Sequence, residues 1–340
     1  MTETVLVTGG TGYVASWCIA GLLDRGYAVR TTIRSLDKAP AVRAAASLET
    51  DPGDRLSFVV ADLLSDGGWP DAMAGVDFVL HVAQPLGTGS ESDPEALIAP
   101  ARDGVLRVLR AAEAAGVKRV VMTSAANAAS PSSYQEEGVT DETLWTDPDD
   151  PTLIPYRGAK TIGEKTAWEF METSGGAMTL TTILPGAVFG PIRSTGTVGS
   201  VGIIARMLQG TMPGTPRIGF EIVDVRDLAD VHIRAMTSPE AAGQRFLATG
   251  EFLWMRDMAR TLRERLGPAA SRVSTRQLPD FVVRLSARFF DRSLRSITPA
   301  LGRRARHSTA KAERMLGWTP RSAADVVADC GRSLIEWKVV

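Results

Sequence analysis

A cluster of glycines between an apolar, β-branched run and a helix-forming run restricts this chain more than any other feature. Val5-Leu6-Val7 reads as a strand and residues 12–24 as a helix, and between them lies Thr8-Gly9-Gly10-Thr11-Gly12-Tyr13-Val14-Ala15. The spacing is G-x-x-G-x-x-A, from Gly9 through Gly12 to Ala15. Glycine permits a tight turn and close backbone approach, and the free N–H groups at the start of the following helix suit a pyrophosphate. Ala15 stands where a small residue lets the helix pack on the strand. An ordinary strand–helix turn is the plain alternative. The position of this turn, directly after the first strand, points instead to dinucleotide binding.

Short apolar runs at residues 27–33, 56–60, 78–82, 119–122 and 180–184 alternate with helical patterns at 40–49, 94–115 and 156–171. Such alternation predicts a parallel sheet covered by helices on both faces. The expected fold class is α/β: a Rossmann doubly wound parallel sheet with a smaller, mostly helical C-terminal substrate lobe. Gly and Ser crowd residues 194–202, a loop signal; 220–223 and 245–248 read as short strands, and the pattern turns helical from about residue 254. The expected division is a dinucleotide-binding domain over 1–192, with a returning segment at about 220–250, and a substrate-binding lobe over about 193–219 and 251–340. A chain of 340 residues accommodates one large and one smaller unit.

Composition removes several function classes. A net charge of −1 supplies no bulk attraction to nucleic acid, so no nucleic-acid partner is expected. The two cysteines, Cys18 and Cys330, have neither disulfide-framework nor metal spacing, and no metal site is expected. The acidic trio Asp147, Asp149 and Asp150 lacks further ligands at metal spacing and reads as an exposed loop. The apolar start is broken by the glycine turn and has no basic leader, so it is not read as an export signal. No uninterrupted run of about 18 apolar residues suggests a membrane span. The expectation is a cytoplasmic protein without a membrane partner, monomeric or homodimeric.

The end of the second strand distinguishes two dinucleotides. An Asp or Glu there binds the ribose 2′-OH of NAD, but here the run is Arg30-Thr31-Thr32-Ile33-Arg34, with Lys38 following. Arg34 can make a bidentate contact to a 2′-phosphate and Lys38 can add a point charge, which favours NADP(H). Ala61-Asp62-Leu63 follows the third strand, where Asp62 either holds the adenine amino group or caps a helix. His81-Val82-Ala83-Gln84-Pro85 ends the fourth strand at the edge where nucleotides lie, and His81 reads as structural.

Tyr156-Arg157-Gly158-Ala159-Lys160 carries the chemistry. Tyr156 and Lys160 are four apart and share a helix face. A nearby cation is expected to lower the tyrosine pKa from its ordinary value near 10. Tyr156 can then protonate the oxygen of a carbonyl that receives a hydride from nicotinamide.

With these residues in view, the chain resembles the extended short-chain dehydrogenase/reductase superfamily. It resembles in particular the dihydroflavonol reductase-like branch, which includes cinnamoyl-CoA reductases and microbial aldehyde or ketone reductases. The resemblance rests on the glycine turn, Thr32-Ile33-Arg34, Ala61-Asp62-Leu63, His81-Val82-Ala83, Thr123-Ser124, Asp141-Glu142 and Tyr156 to Lys160. The runs from Leu184 to Pro191, Val223 to Asp227 and Gly317-Trp318-Thr319-Pro320 extend it. It is strong over residues 2–192, moderate to about 250 and weak beyond, apart from the last string.

The resemblance implies NADPH-dependent reduction of a small aldehyde, ketone or ketoester, or oxidation of the corresponding alcohol. It also implies that Pro185, Ala187 and Val188 lie along the nicotinamide and Ser200 near the cofactor phosphates. Candidate cofactor-binding residues are therefore Gly9, Thr11, Gly12, Tyr13, Val14, Arg34, Lys38, Asp62, Leu63, Val82, Ala83, Gln84, Thr123, Tyr156, Lys160, Pro185, Ala187, Val188 and Ser200. The candidate catalytic residues are Tyr156, Lys160 and Ser124.

One departure matters. Where the family has Thr-Ser-Ser, this chain has Thr123-Ser124-Ala125, so Ala125 takes the place of the serine that polarises the carbonyl. Adjacent strand residues face opposite sides, so Ser124 does not automatically substitute; Thr123 and Asn127 are the other candidate donors. Gln84, Asn127, Ala128 and Phe189 are candidate pocket residues, and long cinnamoyl-CoA-type signatures are absent. Arg284, Arg288, Arg292 and Arg295 recur at helical spacing, as a solvated face or as a contact for an anionic substrate tail. Two other functions share the core: a non-catalytic NADP-binding regulatory protein and a sugar-nucleotide epimerase or dehydratase.

Overall fold

The computed structural model describes residues 2–49, 51–85, 94–132, 138–196 and 199–340, leaving aside the side chains of 292 and 293. The chain opens with β1 (Thr4–Val7), α1 (Tyr13–Asp24), β2 (Ala28–Ile33), α2 (Ala39–Ala46), β3 (Leu56–Val60), α3 (Trp69–Met73) and β4 (Phe78–His81). There follow α4 (Glu95–Ala114), β5 (Arg119–Thr123), β6 (Gly138–Thr140), α5 (Pro155–Thr173), β7 (Thr179–Pro185), β8 (Ala187–Phe189) and α6 (Val201–Gln209). The remainder is β9 (Gly219–Asp224), α7 (Val225–Thr237), β10 (Gln244–Ala248), β11 (Phe252–Trp254), α8 (Met255–Leu266), α9 (Asp280–Phe289), β12 (Ala305–His307), α10 (Ala310–Leu316) and α11 (Ala323–Glu336).

Seven strands form one parallel sheet in the order β10-β7-β5-β4-β1-β2-β3. This is the doubly wound α/β arrangement that the alternation predicts. The strand order reverses between β1 and β4, and the crevice at the carboxyl ends of such a pair is where ligands bind in open α/β sheets. On one face α1 buries Ala15, Cys18, Ile19, Leu22 and Leu23, a stripe at helical spacing, into a core shared with α7. On the other face α3, α4 and α5 pack over a second core that includes Trp69, Val108, Leu109 and Ala167.

A third core lies outside the sheet. Phe189, Ile204, Ile222, Met258, Leu262 and Val327 join residues of β8, β9, α6, α8 and α11. Its small sheet runs β11-β9-β8, with β8 parallel and β11 antiparallel to β9. Glycine makes this junction possible: a Cβ on Gly186 would lie 2.3 Å from the Glu221 carbonyl oxygen, and one on Gly250 would lie 1.9 Å from that of Ile222.

Three parts of this architecture were not anticipated. Helix α7 begins inside the Val223-to-Asp227 string, with the Asp224 side chain capping it by accepting the Arg226 N–H at 2.7 Å. Strands β6 and β12 are three residues each and pair in parallel across 167 positions of sequence (Gly138 with Ala305), a contact no local pattern encodes. The late string Gly317-Trp318-Thr319-Pro320 is a packing device: Trp318 is buried and donates its indole N–H to the Asp227 carbonyl at 2.8 Å.

Candidate active site

The glycine turn leaves an anion cradle at the switch point. Gly9 has φ +69°, and a Cβ there would meet the Ala83 Cβ at 2.7 Å, so β1 and β4 approach as closely as glycine allows. A Cβ on Gly10, which the spacing argument passed over, would lie 2.5 Å from the Thr31 hydroxyl. Gly12 donates its N–H to the Gly9 carbonyl at 2.8 Å, whereas the N–H groups of Thr11, Tyr13 and Val14 meet no acceptor among the described residues. Open donors at a helix N-terminus are the chemistry a dinucleotide pyrophosphate requires. The Tyr13 side chain packs into the third core, its hydroxyl has no partner among the described residues, and burial raises its pKa well above the ordinary value, which leaves its backbone N–H as the group at the cradle.

Around the cradle the turn is locked by Thr8. Its hydroxyl oxygen accepts from the N–H groups of Val82 at 3.1 Å and Ala83 at 3.0 Å, so its hydrogen goes to His81 Nδ1 at 3.0 Å. Burial holds His81 neutral, with its pKa down to about 3, so the ring serves as the structural joint its sequence context suggests. Arg34 is exposed at the end of β2, with no carboxylate partner among the described residues. Lys38 pairs with Asp37 at 3.1 Å. Asp62 accepts the Leu64 N–H at 3.0 Å, which makes it a turn residue rather than a helix cap, and the side chain of Leu63 is buried.

Tyr156 and Lys160 lie one turn apart at the start of α5, which begins with Pro155. Tyr156 is 43% exposed, yet the chain packed around it raises the phenol pKa. The expected lowering by Lys160 is therefore corrected: in the protein by itself desolvation prevails. Lys160 has no hydrogen-bond partner among the described residues; burial pushes its pKa down to about 8, and the Glu164 carboxylate, one turn on, works against that shift. A narrow cavity behind Lys160 is lined by His81, Gln84, Thr123 and Ser124, which brings four of the strand-end positions together with the lysine.

Both hydroxyls at the end of β5 point their hydrogens inward. His232 Nδ1 faces the Leu228 carbonyl at 2.7 Å and must carry its proton, and burial keeps the ring neutral, with its pKa lowered to about 4. Its Nε2 is thus an acceptor, and Thr123 donates to it at 2.6 Å. Ser124 is buried and donates to Glu164 Oε2 at 2.7 Å. Its assignment as the carbonyl-polarising donor is corrected accordingly, since its hydrogen belongs to Glu164. Ala125 supplies no donor side chain. Asn127, in the short turn Ala126–Ala129, is half-buried, and its side-chain amide has no partner among the described residues.

The sequence reading missed the group that organises this end of the site. Glu164 is fully buried and accepts from Ser124, from Thr182 at 2.7 Å and from Arg245 Nε at 2.9 Å. The Arg245 guanidinium stacks 3.5 Å over the Trp145 ring and donates to the carbonyls of Glu142 and Leu144. The only sequence signal was the i, i+4 step from Lys160 to Glu164; Arg245 lies on another strand.

Other candidates separate. Pro185 is buried at the end of β7, while Ala187 and Val188 are half-buried on β8, and Ser200 is half-buried before α6. Phe189 and Ala128 are wholly buried, and Phe189 stacks edge-on with Phe220, so neither lines a pocket, contrary to expectation. Cys18 and Cys330 are buried thiols whose pKa values burial raises to about 12. Asp147 and Asp150 cap their own turns, and no metal-binding cluster occurs among the described residues.

Known proteins resemble this chain in sequence and in fold. The sequence pattern of the NAD dependent epimerase/dehydratase family matches residues 5–248. A cinnamoyl-CoA reductase from Petunia hybrida is 36% identical over 263 residues, covering 76% of each chain. A ketoreductase from Aspergillus niger is 32% identical over 301 residues, covering 82% of this chain and 87% of its own. The yeast methylglyoxal/isovaleraldehyde reductase Gre2, solved with NADPH, superposes with a TM-score of 0.80 at 23% identity over 99% of both chains, a likeness of fold.

Proposed function

This chain belongs to the NAD dependent epimerase/dehydratase family, and we propose that it is an NADPH-dependent reductase of a small aldehyde, ketone or ketoester. The observation that carries the reading is the pairing of Tyr156 and Lys160 on one face of α5, together with a glycine turn whose Thr11, Tyr13 and Val14 N–H groups meet no acceptor among the described residues. Reductases among the relatives support the same reaction class. The exposed Arg34 guanidinium supports a 2′-phosphate, where an acid would be expected for the unphosphorylated dinucleotide.

When bound, NADPH supplies the hydride. Tyr156 gives its phenolic proton to the substrate oxygen as negative charge develops there. Lys160, while protonated, stabilises the phenolate that remains. The amide of Asn127, which has no partner among the described residues, is the donor that would polarise the carbonyl, because Thr123 and Ser124 have turned theirs inward. Gly9, Gly12, Val82, Ala83 and Gln84 border the cofactor along the sheet edge, with Asp62 and Leu63 toward the adenine. Lys38 and Arg34 serve the 2′-phosphate, Pro185, Ala187 and Val188 the nicotinamide, and Ser200 the phosphates.

The test is consumption of reduced nicotinamide by wild type and Tyr156→Phe across a carbonyl panel. The reading expects turnover with NADPH preferred over NADH, and a loss of about 10²–10⁴ in the variant with NADPH affinity retained. Tight NADPH binding without turnover on any carbonyl would instead favour the non-catalytic binding protein.

A further inference from the structure

Helix α9 turns an apolar ridge straight into solvent. Val283 and Ala287 are its buried residues. On the opposite side Phe281, Leu285 and Phe289 follow one another at four-residue steps, exposed by 70%, 51% and 66%, and Phe290, just past the end, is 84% exposed. Isolated exposed apolar residues are ordinary, but three in one row on a single helix face form a contiguous surface that water solvates poorly.

The ridge is flanked by positive charge. Arg284 and Arg288 are exposed beside it, neither has an ion-pair partner among the described residues, and the Arg288 guanidinium lies 5.5 Å over the Phe289 ring. Residues 272–306 hold nine arginines against two acids, Asp280 and Asp291, in a chain whose overall charge is −1. Asp280 is itself held by Arg217 at 2.5 Å.

We propose that α9 docks the protein on an anionic lipid surface, with Phe281, Leu285 and Phe289 entering the headgroup–acyl boundary and Arg284 and Arg288 meeting the lipid phosphates. A row of aromatic and aliphatic side chains bordered by arginines is the pattern of a helix that lies in the plane of the interface. A second copy of the chain fits less well: pairing the ridge with itself brings arginine stripes together without acids between them. No helix among the described residues is long and apolar enough to cross a membrane, so the contact is peripheral. The expectation of no membrane partner is revised to that extent. The proposal does not rest on the proposed reductase chemistry.

The test is flotation of the full chain with vesicles of phosphatidylglycerol and phosphatidylcholine, and with phosphatidylcholine alone. Partitioning onto the anionic vesicles alone, weakening with added salt, is expected. The triple variant Phe281→Ser/Leu285→Ser/Phe289→Ser is expected to lose roughly tenfold or more of that partitioning. Arg284→Glu/Arg288→Glu provides a second variant that keeps the apolar ridge, with the same expected loss. Unchanged thermal unfolding in both shows that the fold is intact. Absence of wild-type binding to anionic vesicles, or equal binding by both variants, overturns the proposal. So does a lipid-free dimer by light scattering that the triple variant abolishes.

Discussion

Ser124 gives its hydroxyl hydrogen to Glu164 at 2.7 Å, inside a pocket of the protein closed to solvent on both sides of the bond. The hydroxyl nearest the missing catalytic serine is thereby tied to the interior. Glu164 needs it: its two oxygens serve Ser124, Thr182 and Arg245 together. Ser124→Ala is therefore expected to keep turnover within a few-fold while lowering stability by about 1–3 kcal/mol, because a buried carboxylate loses one donor. Steady-state kinetics and denaturant unfolding check both halves. A collapse of turnover in a folded variant would return Ser124 to the mechanism.

Asn127 carries the complementary expectation. Its amide has no partner among the described residues, so Asn127→Ala is expected to lower kcat by roughly 10²–10³, the range for losing one preorganised donor. NADPH affinity, read by fluorescence titration, is expected to stay as in wild type. Undiminished kcat would mean the carbonyl is polarised by Tyr156 alone.

Arg34 is the residue proposed to choose the dinucleotide. Arg34→Asp exchanges a donor to the 2′-phosphate for an acceptor from the ribose hydroxyl. Loss of a charge-assisted contact of about 1.5–3 kcal/mol corresponds to roughly a 10- to 100-fold fall in kcat/KM with NADPH. The same variant is expected to gain with NADH. Equal coenzyme ratios in wild type and variant would place the discriminating charge elsewhere.

The pH dependence follows from Lys160. Burial brings its pKa down to about 8, and the form the proposed mechanism uses is the protonated one, present below that value and lost above it. Reduction is expected to slow as pH rises through about 8. Glu164 holds the value up, so Glu164→Gln is expected to move this falling limb to lower pH, while Glu164→Asp leaves it near the wild-type position. The charged neighbours to consider are Tyr156 and Glu164 on α5, His81 on β4, which burial keeps neutral, and Arg245 behind Glu164. Glu164→Gln strands the Arg245 guanidinium in the interior, at a cost of about 3–5 kcal/mol. Glu164→Gln/Arg245→Met removes both charges and repeats the measurement in a better-folded background. An unmoved limb in both would sever Glu164 from Lys160.

Much of the candidate site was legible because its parts are local. The glycine turn, the cation after β2 and the Tyr156–Lys160 step each occupy a few consecutive residues, and strand and helix periodicities place them at the sheet edge. The same alternation anticipated the parallel sheet. What could not be read there depends on side chains meeting from distant elements. Glu164 meets Arg245 across 81 positions, Thr123 meets His232 across 109, and the loop after β5 meets the lobe where Ser130 faces His307 Nε2 at 2.9 Å. Phe189 illustrates the cost of arguing locally: its string matched, but packing against Phe220 took its ring out of reach of any ligand.

The sequence by itself determined the alternating α/β layout, the anion-binding turn and the one-turn spacing of tyrosine and lysine, since backbone sterics and helical periodicity act between near neighbours. The tertiary structure alone decided which hydroxyls remain free and how the lysine's charge is set. A hydroxyl has one hydrogen to give, and which acceptor receives it depends on what folding brings within hydrogen-bonding distance. Burial then sets the protonation of Lys160, His81 and His232, because the free energy of a charge depends on the water and the partners that the finished fold leaves around it.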